Sequence, residues 1–400
     1  MGPLLLKLTE AWEHGNEVLE AEQCGEGSRT GTDPADEAVI AEAAELLKAG
    51  ETVAFPTETV YGLGADARNT EAVEAIFEAK GRPSDNPLIV HIADRAALGE
   101  LVTEVPPVAA ALMDAYWPGP LTVVLPLRAG VLSSRVTAGL DTVGVRMPDH
   151  PVALALLAAA GCPVAAPSAN RSGRPSPTLA GHVLDDLAGK IGGVLDGGAA
   201  GVGLESTVVQ VQPDGSVAVL RPGGITAAQL AAVAGEAAVT GVSAAPDFTP
   251  PQEAAEASSR PAAPDAAGDG SPAPRAPGMK YAHYAPRGWL GVVRGSSPAS
   301  AAKTAAGLLD AARGRGEKTG MLLFEEHLPL YPAGAADCVV SLGPLASPET
   351  AARFLYAALR RFDEAGATYI LAEACPETGL GSAIMNRLMK AAAGCVIDAE

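Results

Sequence analysis

The chain has 400 residues, room for two or three domains at about 150 residues each, every one large enough to bury its own core. It is 48% hydrophobic and 19% charged and contains no apolar run of the ~18 residues that suggest a membrane helix, so it reads as a globular chain. Its net charge of −19 repels phosphate backbones, which argues against broad coating of nucleic acid but not against a small basic pocket for a compact anion.

In chain order, residues 1–34 end in a polar, Gly-rich stretch and read as an N-terminal appendage. The short run Leu4–Leu6 has no basic segment before it, so no secretory signal is expected. A helix follows from Ala35 to Lys48. A front domain, 35–230, then alternates apolar strands at Thr52–Phe55, Leu88–Ile92, Leu121–Leu125, Val143–Val145, Pro163–Ala166 and Thr207–Val211 with helical segments, an α/β pattern. Asn69 or Thr70 caps a helix with the apolar stripe Val73, Ile76 and Phe77 and the terminator Gly81, which puts Lys80 in its last turn.

Residues 231–288, rich in Ala, Pro, Ser, Glu and Gly, form a linker with proline-stiffened stretches. One island within it, Pro277–Pro286, gathers Lys280, Tyr281, His283 and Tyr284, and reads as a lid strand folding back over the front cleft in preference to the start of the rear domain's first strand. The rear domain, 289–400, alternates strands at Leu290–Val293, Met321–Phe324, Cys338–Leu342 and Tyr369–Ala372 with helices near 300–313, 348–365 and 382–393. A small, mostly parallel Rossmann-like sheet is the economical reading.

Five scattered cysteines, odd in number and without a C-x-x-C pair, fit a reducing, cytoplasmic setting. No Walker-type, serine-hydrolase or zinc-protease signature occurs. Gly62–Ala67 matches the loose dinucleotide-binding form, but Pro56–Thr59 intervene between strand and turn and count against it. The loops after Phe55 (Pro56–Gly62) and after Ala166 (Pro167–Ser176) instead offer hydroxyls and backbone N–H groups where open α/β sheets place ligands; each also reads as an ordinary turn.

Lys80 and Arg82 stand two residues apart at a helix exit, a point charge beside a fork that suits a polyphosphate; alternatively Lys80 only compensates the helix dipole beside a solvated Arg82. Arg146 interrupts a strand and needs a partner, either a captured carboxylate or phosphate or a plain pair with Asp149. Gly197–Gly203 leads into Glu205-Ser206-Thr207 and either closes over a ligand or turns the chain. Arg221 precedes a helix marked by the capping pair Thr226 and Gln229, a position better suited to an anion than to stability. His91, after an apolar strand, fits a satisfied, half-buried histidine.

Together, Pro56–Gly64, Lys80–Pro83, Asn86–Ile92, Pro167–Asn170 and Pro277–Pro286 resemble the threonylcarbamoyl-AMP synthases in their long two-domain form, and the likeness extends through Gly381–Arg387. The resemblance implies a YrdC-like front domain, a twisted mixed sheet with an open cleft, that condenses L-threonine, bicarbonate and ATP into threonylcarbamoyl-AMP and pyrophosphate. It implies ATP contacts at Lys80, Arg82, Thr142, Ser168, Asn170, Ser176, Arg221 and Tyr281, with Lys80, Arg82 and Arg221 doing the catalytic work. Thr57, His91, Arg146, Ala166 and Ser206 would hold threonine. Mg2+ would ride on the ATP phosphates, with no protein metal ligands. The product would pass to the proteins that transfer threonylcarbamoyl to tRNA, with no strong direct nucleic-acid binding and no membrane. An RNA-binding module using the same cleft is the rival, disfavoured by the net charge. A carbamoyl transferase of metallocentre maturation lacks its zinc-finger cysteines.

Overall fold

A computed structural model of the chain describes residues 4–8, 34–235, 239–241, 274 and 283–400. Among the described residues the front domain is organised by eleven strands: β1 (Leu4–Lys7), β2 (Val53–Phe55), β3 (Gly62–Asp66), β4 (Ile89–His91), β5 (Leu121–Pro126), β6 (Thr142–Arg146), β7 (Val164–Ala165), β8 (Gly193–Asp196), β9 (Thr207–Val211), β10 (Val217–Arg221) and β11 (Val239–Thr240). They form one sheet in the order β1-β8-β2-β3-β7-β4-β6-β5-β9-β10-β11, mixing parallel pairs such as β4 with β6 and antiparallel ones such as β5 with β6. Successive residues point to opposite faces. Val53 and Phe55 therefore pack under the helices Pro34–Lys48 and Pro151–Ala160, while Ala54, Leu63 and Ala65 join the cluster of Val73, Ile76 and Leu112.

The rear domain adds β12 (Trp289–Gly295), β13 (Thr319–Leu323), β14 (Cys338–Ser341), β15 (Tyr369–Glu373) and β16 (Val396–Ala399), all parallel, in the order β14-β13-β15-β12-β16. Val293, Met321, Leu323 and Leu371 face the helix Pro298–Gly314, and Val292, Leu322, Ile370 and Ala372 face the helices Pro348–Ala365 and Leu380–Ala391. Both faces are thus covered, as a parallel sheet requires. No helix among the described residues is long and apolar enough to cross a membrane.

Two expectations change, and one disfavoured reading is excluded. Leu4–Lys7 belong to no appendage: they pair in parallel with β8, burying Leu6 and, just beyond, Leu8 while Leu4 and Leu5 stay exposed. A four-residue edge strand is held largely by main-chain bonds and leaves almost no pattern in sequence. Gly62–Asp66 is a strand antiparallel to β2, not a phosphate turn. Its Gly64 gives room to neighbours, since a Cβ there would stand 2.8 Å from both Phe55 Cε1 and Val164 Cγ1. The helix Ala227–Ala234 and β11 also carry front-domain packing past the expected boundary at 230, because the capping box of Thr226 and Gln229 starts a helix whose Leu230 is fully buried.

The two domains dock along the helix Pro348–Ala365. Arg360 pairs with Asp186 at 2.7 Å and donates to the Pro175 carbonyl at 2.6 Å, and Arg174 pairs with Asp363 at 2.8 Å. Val60 and Leu204 of the front domain are buried in the rear domain's apolar cluster with Tyr284 and Tyr356. Arg353 donates to the Gly201 carbonyl at 2.8 Å, and the loop turns at Gly203 (φ 76°) directly against Arg353, so Gly197–Gly203 is a turn that the rear domain holds.

Candidate active site

The loops that follow β2 and β7, the end of the helix Thr70–Lys80 and the ends of β4, β6 and β10 meet at one cleft. Asn69 caps that helix by accepting from the N–H groups of Glu71 and Ala72, and Gly81 ends it in the left-handed conformation at φ 60°. The helix thereby delivers Lys80, only 2% exposed, with its ammonium against the loop after β7. Lys80 Nζ donates to the carbonyls of Ser168 (2.6 Å) and Asn170. The loop is held in turn by Asn170, which accepts from Ser168 Oγ and donates to the carbonyls of Arg171 (2.9 Å) and Arg174 (2.8 Å). Burial, and then the neighbouring Arg82, hold the Lys80 ammonium well below the usual lysine range. Arg82 is braced by the Pro87 carbonyl at 3.0 Å.

The other wall is built from paired strand ends. His91 and Arg146 are register partners on β4 and β6. Burial and the Arg146 charge push the His91 imidazole down to about 3, so it is neutral at physiological pH. Arg146 Nη2 lies 2.6 Å from Glu58 Oε1, and its Nε donates to the Gly119 carbonyl. Asp149 is therefore not the partner; Glu58, from the loop after β2, is. In that loop Thr57 Oγ1 donates to the Val60 carbonyl at 2.6 Å and accepts from the Thr59 and Val60 N–H groups, closing a tight turn. Arg221 is the last residue of β10, not a helix-flanking cation, and it donates to Ser206 O (2.9 Å) and Ser206 Oγ (3.1 Å). Ser206 Oγ also shares a hydrogen bond with Thr122 at 2.8 Å.

The cleft opens to solvent and gathers Thr57, Lys80, Arg82, His91, Arg146, Ala166, Ser168, Asn170, Ser206 and Arg221. Two expected members stand apart, and a third is not among the described residues. Thr142 sits at the opposite end of β6 from Arg146, ~13 Å along the strand at a strand's rise per residue, on a separate smaller cavity with Thr122 and Val208. Ser176 is fully buried, with its hydroxyl donated to Glu205 Oε1 at 2.7 Å. Tyr281 lies outside the described residues. From the same island, His283 and Tyr284 line the cleft.

Glu58 and Glu205 lie in the quoted motifs, but no cation stands beside either in the chain; their partners Arg146 and Arg387 are brought to them by tertiary approach. Burial alone would raise the Glu205 carboxyl, but Arg387, Arg221 and the Ser176 hydroxyl outweigh it and draw it down to about 2.

Residues 45–223 match a family described as telomere recombination (Sua5, YciO and YrdC), and residues 225–393 match one described as threonylcarbamoyl-AMP synthase, C-terminal domain. A threonylcarbamoyl-AMP synthase of Bacillus subtilis is 50% identical over 359 residues, 90% of this chain and 94% of that protein. The chain belongs to the threonylcarbamoyl-AMP synthases. A family member from Pyrococcus abyssi is 43% identical over 87% of this chain and 92% of its own length. The crystal structure of P. abyssi Sua5 complexed with L-threonine superposes with a TM-score of 0.79 at 39% identity, covering 99% of this chain and all of that one. The chain is thus a two-domain threonylcarbamoyl-AMP synthase, an enzyme of tRNA modification.

Proposed function

We propose that the cleft binds ATP through Lys80, Arg82, Ser168, Asn170 and Arg221 and L-threonine through Thr57, His91, Arg146, Ala166 and Ser206. The threonine amine and bicarbonate give a carbamate with loss of water, and a carbamate oxygen then displaces pyrophosphate from the α-phosphorus. No enzyme nucleophile is needed; positioning and charge stabilisation supply the rate. Lys80 and Arg82 meet the charge that builds on the leaving pyrophosphate, and Arg221 adds a buried cation beside Ser206. Arg146 offers its fork to the threonine carboxylate, and neutral His91 beside it contributes a hydrogen bond without adding charge.

The observation that carries this reading is the convergence of Lys80, Arg82, Arg146 and Arg221, from three separate stretches of a chain of net charge −19, on one cleft. Mg2+ fits as part of the nucleotide. The lining offers hydroxyls, carbonyls and cations, and both of its flanking carboxylates, Glu58 and Glu205, are taken up by Arg146 and Arg387. Bound to the phosphates, the metal would withdraw charge from the departing pyrophosphate. Transferases that place threonylcarbamoyl on tRNA are the expected consumers of the product. The four described cysteines are free thiols, which agrees with the cytoplasmic setting we assign.

ATP–pyrophosphate exchange that requires both threonine and bicarbonate is the expected result. ATP should also raise the melting temperature of the wild type and leave that of Lys80→Ala unchanged. Folded protein without exchange, or an ATP response that persists in Lys80→Ala, contradicts the assignment.

A further inference from the structure

The reaction as described makes no use of Glu205, Tyr356 or Arg387, yet they form a buried charged cluster where the domains meet. Glu205 directly precedes Ser206, whose carbonyl and hydroxyl Arg221 holds. The Glu205 carboxylate turns the other way, accepting from Ser176 Oγ (2.7 Å), from Tyr356 OH (2.8 Å) and from Arg387 Nε (2.8 Å). Two of these three donors come from the rear domain, on the helices Pro348–Ala365 and Leu380–Ala391. Arg387 is fully buried, and its guanidinium also lies over the ring of Tyr284, a residue of the cleft lining. The Tyr284 ring packs in turn on Tyr356, 5.2 Å between centroids.

A carboxylate on the wall of a cleft for phosphates is an unfavourable neighbour, because it repels the ligand and attracts the cation meant for it. Arg221 lies within reach of the Glu205 charge, and Arg387 is the stronger attraction on the same carboxylate. We propose that Arg387, supported by Tyr356, is a positioning residue: it neutralises Glu205, so that Arg221 stays committed to Ser206 and to the nucleotide. The rear domain is then a working part of the nucleotide site. The proposal rests on the assignment of Arg221 to ATP.

The test is steady-state threonylcarbamoyl-AMP formation by the full chain with ATP varied. Arg387→Met should raise KM for ATP about tenfold, the scale of one lost charge pairing. Combining it with Glu205→Gln, which removes the charge that Arg387 balances, should bring KM back to within about threefold of wild type. A merely structural role predicts no such rescue, the double variant being worse than Arg387→Met. Should Arg387→Met fail to fold, Tyr356→Phe, which deletes one oxygen, decides: a two- to threefold rise in KM is expected, erased by Glu205→Gln. Arg221→Lys separates the two readings. If it leaves KM for ATP unchanged, the assignment of Arg221 to the nucleotide fails. If it raises KM while Arg387→Met and Tyr356→Phe do not, or if Glu205→Gln rescues neither, the positioning role alone is overturned.

Discussion

Lys80 and Arg146 are both engaged by the protein itself, and that sets how each answers a ligand. Lys80 is buried with its ammonium on carbonyl groups, held well below the usual lysine range by burial and by Arg82. Phosphate oxygens favour the ammonium, so nucleotide binding must pull protons on to such a group. Net proton uptake on ATP binding on the alkaline side is therefore expected, read as a dependence of the calorimetric enthalpy on the buffer's own ionisation heat. The uptake should shrink in Lys80→Arg, which is charged throughout; equal enthalpies in all buffers would show that Lys80 is already charged in the empty cleft. For Arg146, bound threonine has to compete with or share the 2.6 Å contact to Glu58, which only a forked cation with several donors can do. Arg146→Lys should raise KM for threonine about tenfold or more while leaving the ATP-induced thermal shift intact. A parallel loss of the ATP shift would mean that Arg146 serves the nucleotide instead.

At the scale of elements, the cleft depends on strands packed more closely than side chains usually allow. A Cβ on Gly64 would press on Phe55 and Val164 at 2.8 Å, so Gly64→Ala should cost about 1–3 kcal/mol in chemical denaturation and displace the loops that β2 and β3 carry. A loss below 0.5 kcal/mol would mean that the strands can part without strain. The same packing explains which elements were legible in the sequence. The helix Thr70–Lys80 was readable because its cap, apolar stripe and terminating glycine all lie within a dozen neighbouring residues. β8 and β16 were not, because they owe their place to partners far along the chain, and β3 was not, because its glycines leave no apolar pattern. Gly62–Asp66 illustrates the ambiguity: glycines that spare room for Phe55 spell the same letters as glycines that approach a phosphate. Lys80, Arg82 and Arg146 were legible as site residues because cations at a helix exit and inside an apolar strand demand a partner. Which partner they have, Glu58 for Arg146, is a matter of tertiary approach.

For the whole molecule, the contacts that join cleft and rear domain span 182 positions between Glu205 and Arg387, a distance over which sequence pattern carries no pairing information. Gly203 shows how closely the domains are fitted: at φ 76°, with an added Cβ only 2.4 Å from Arg353 Cα, Gly203→Ala should loosen the docking and lower the melting temperature by several degrees. Acid should act on the same joint through Glu205. Its carboxyl titrates near 2 in the folded chain against an ordinary 4.5, so the stability it contributes is complete above about pH 5 and is lost as pH falls toward 2. A shift of that size corresponds to roughly 3 kcal/mol at neutral pH. In urea titrations, stability should therefore fall more steeply between pH 5 and pH 3 in the wild type than in Glu205→Gln, which has no proton to take up there. Because Arg387 lies over Tyr284, which packs on Tyr356, the loss should first appear as a change in tyrosine fluorescence from the domain junction, ahead of global unfolding. Parallel pH profiles for the two proteins would show that the Glu205–Arg387 pair does not hold the domains together, and the acid sensitivity of this acidic chain would then rest on its surface charge alone.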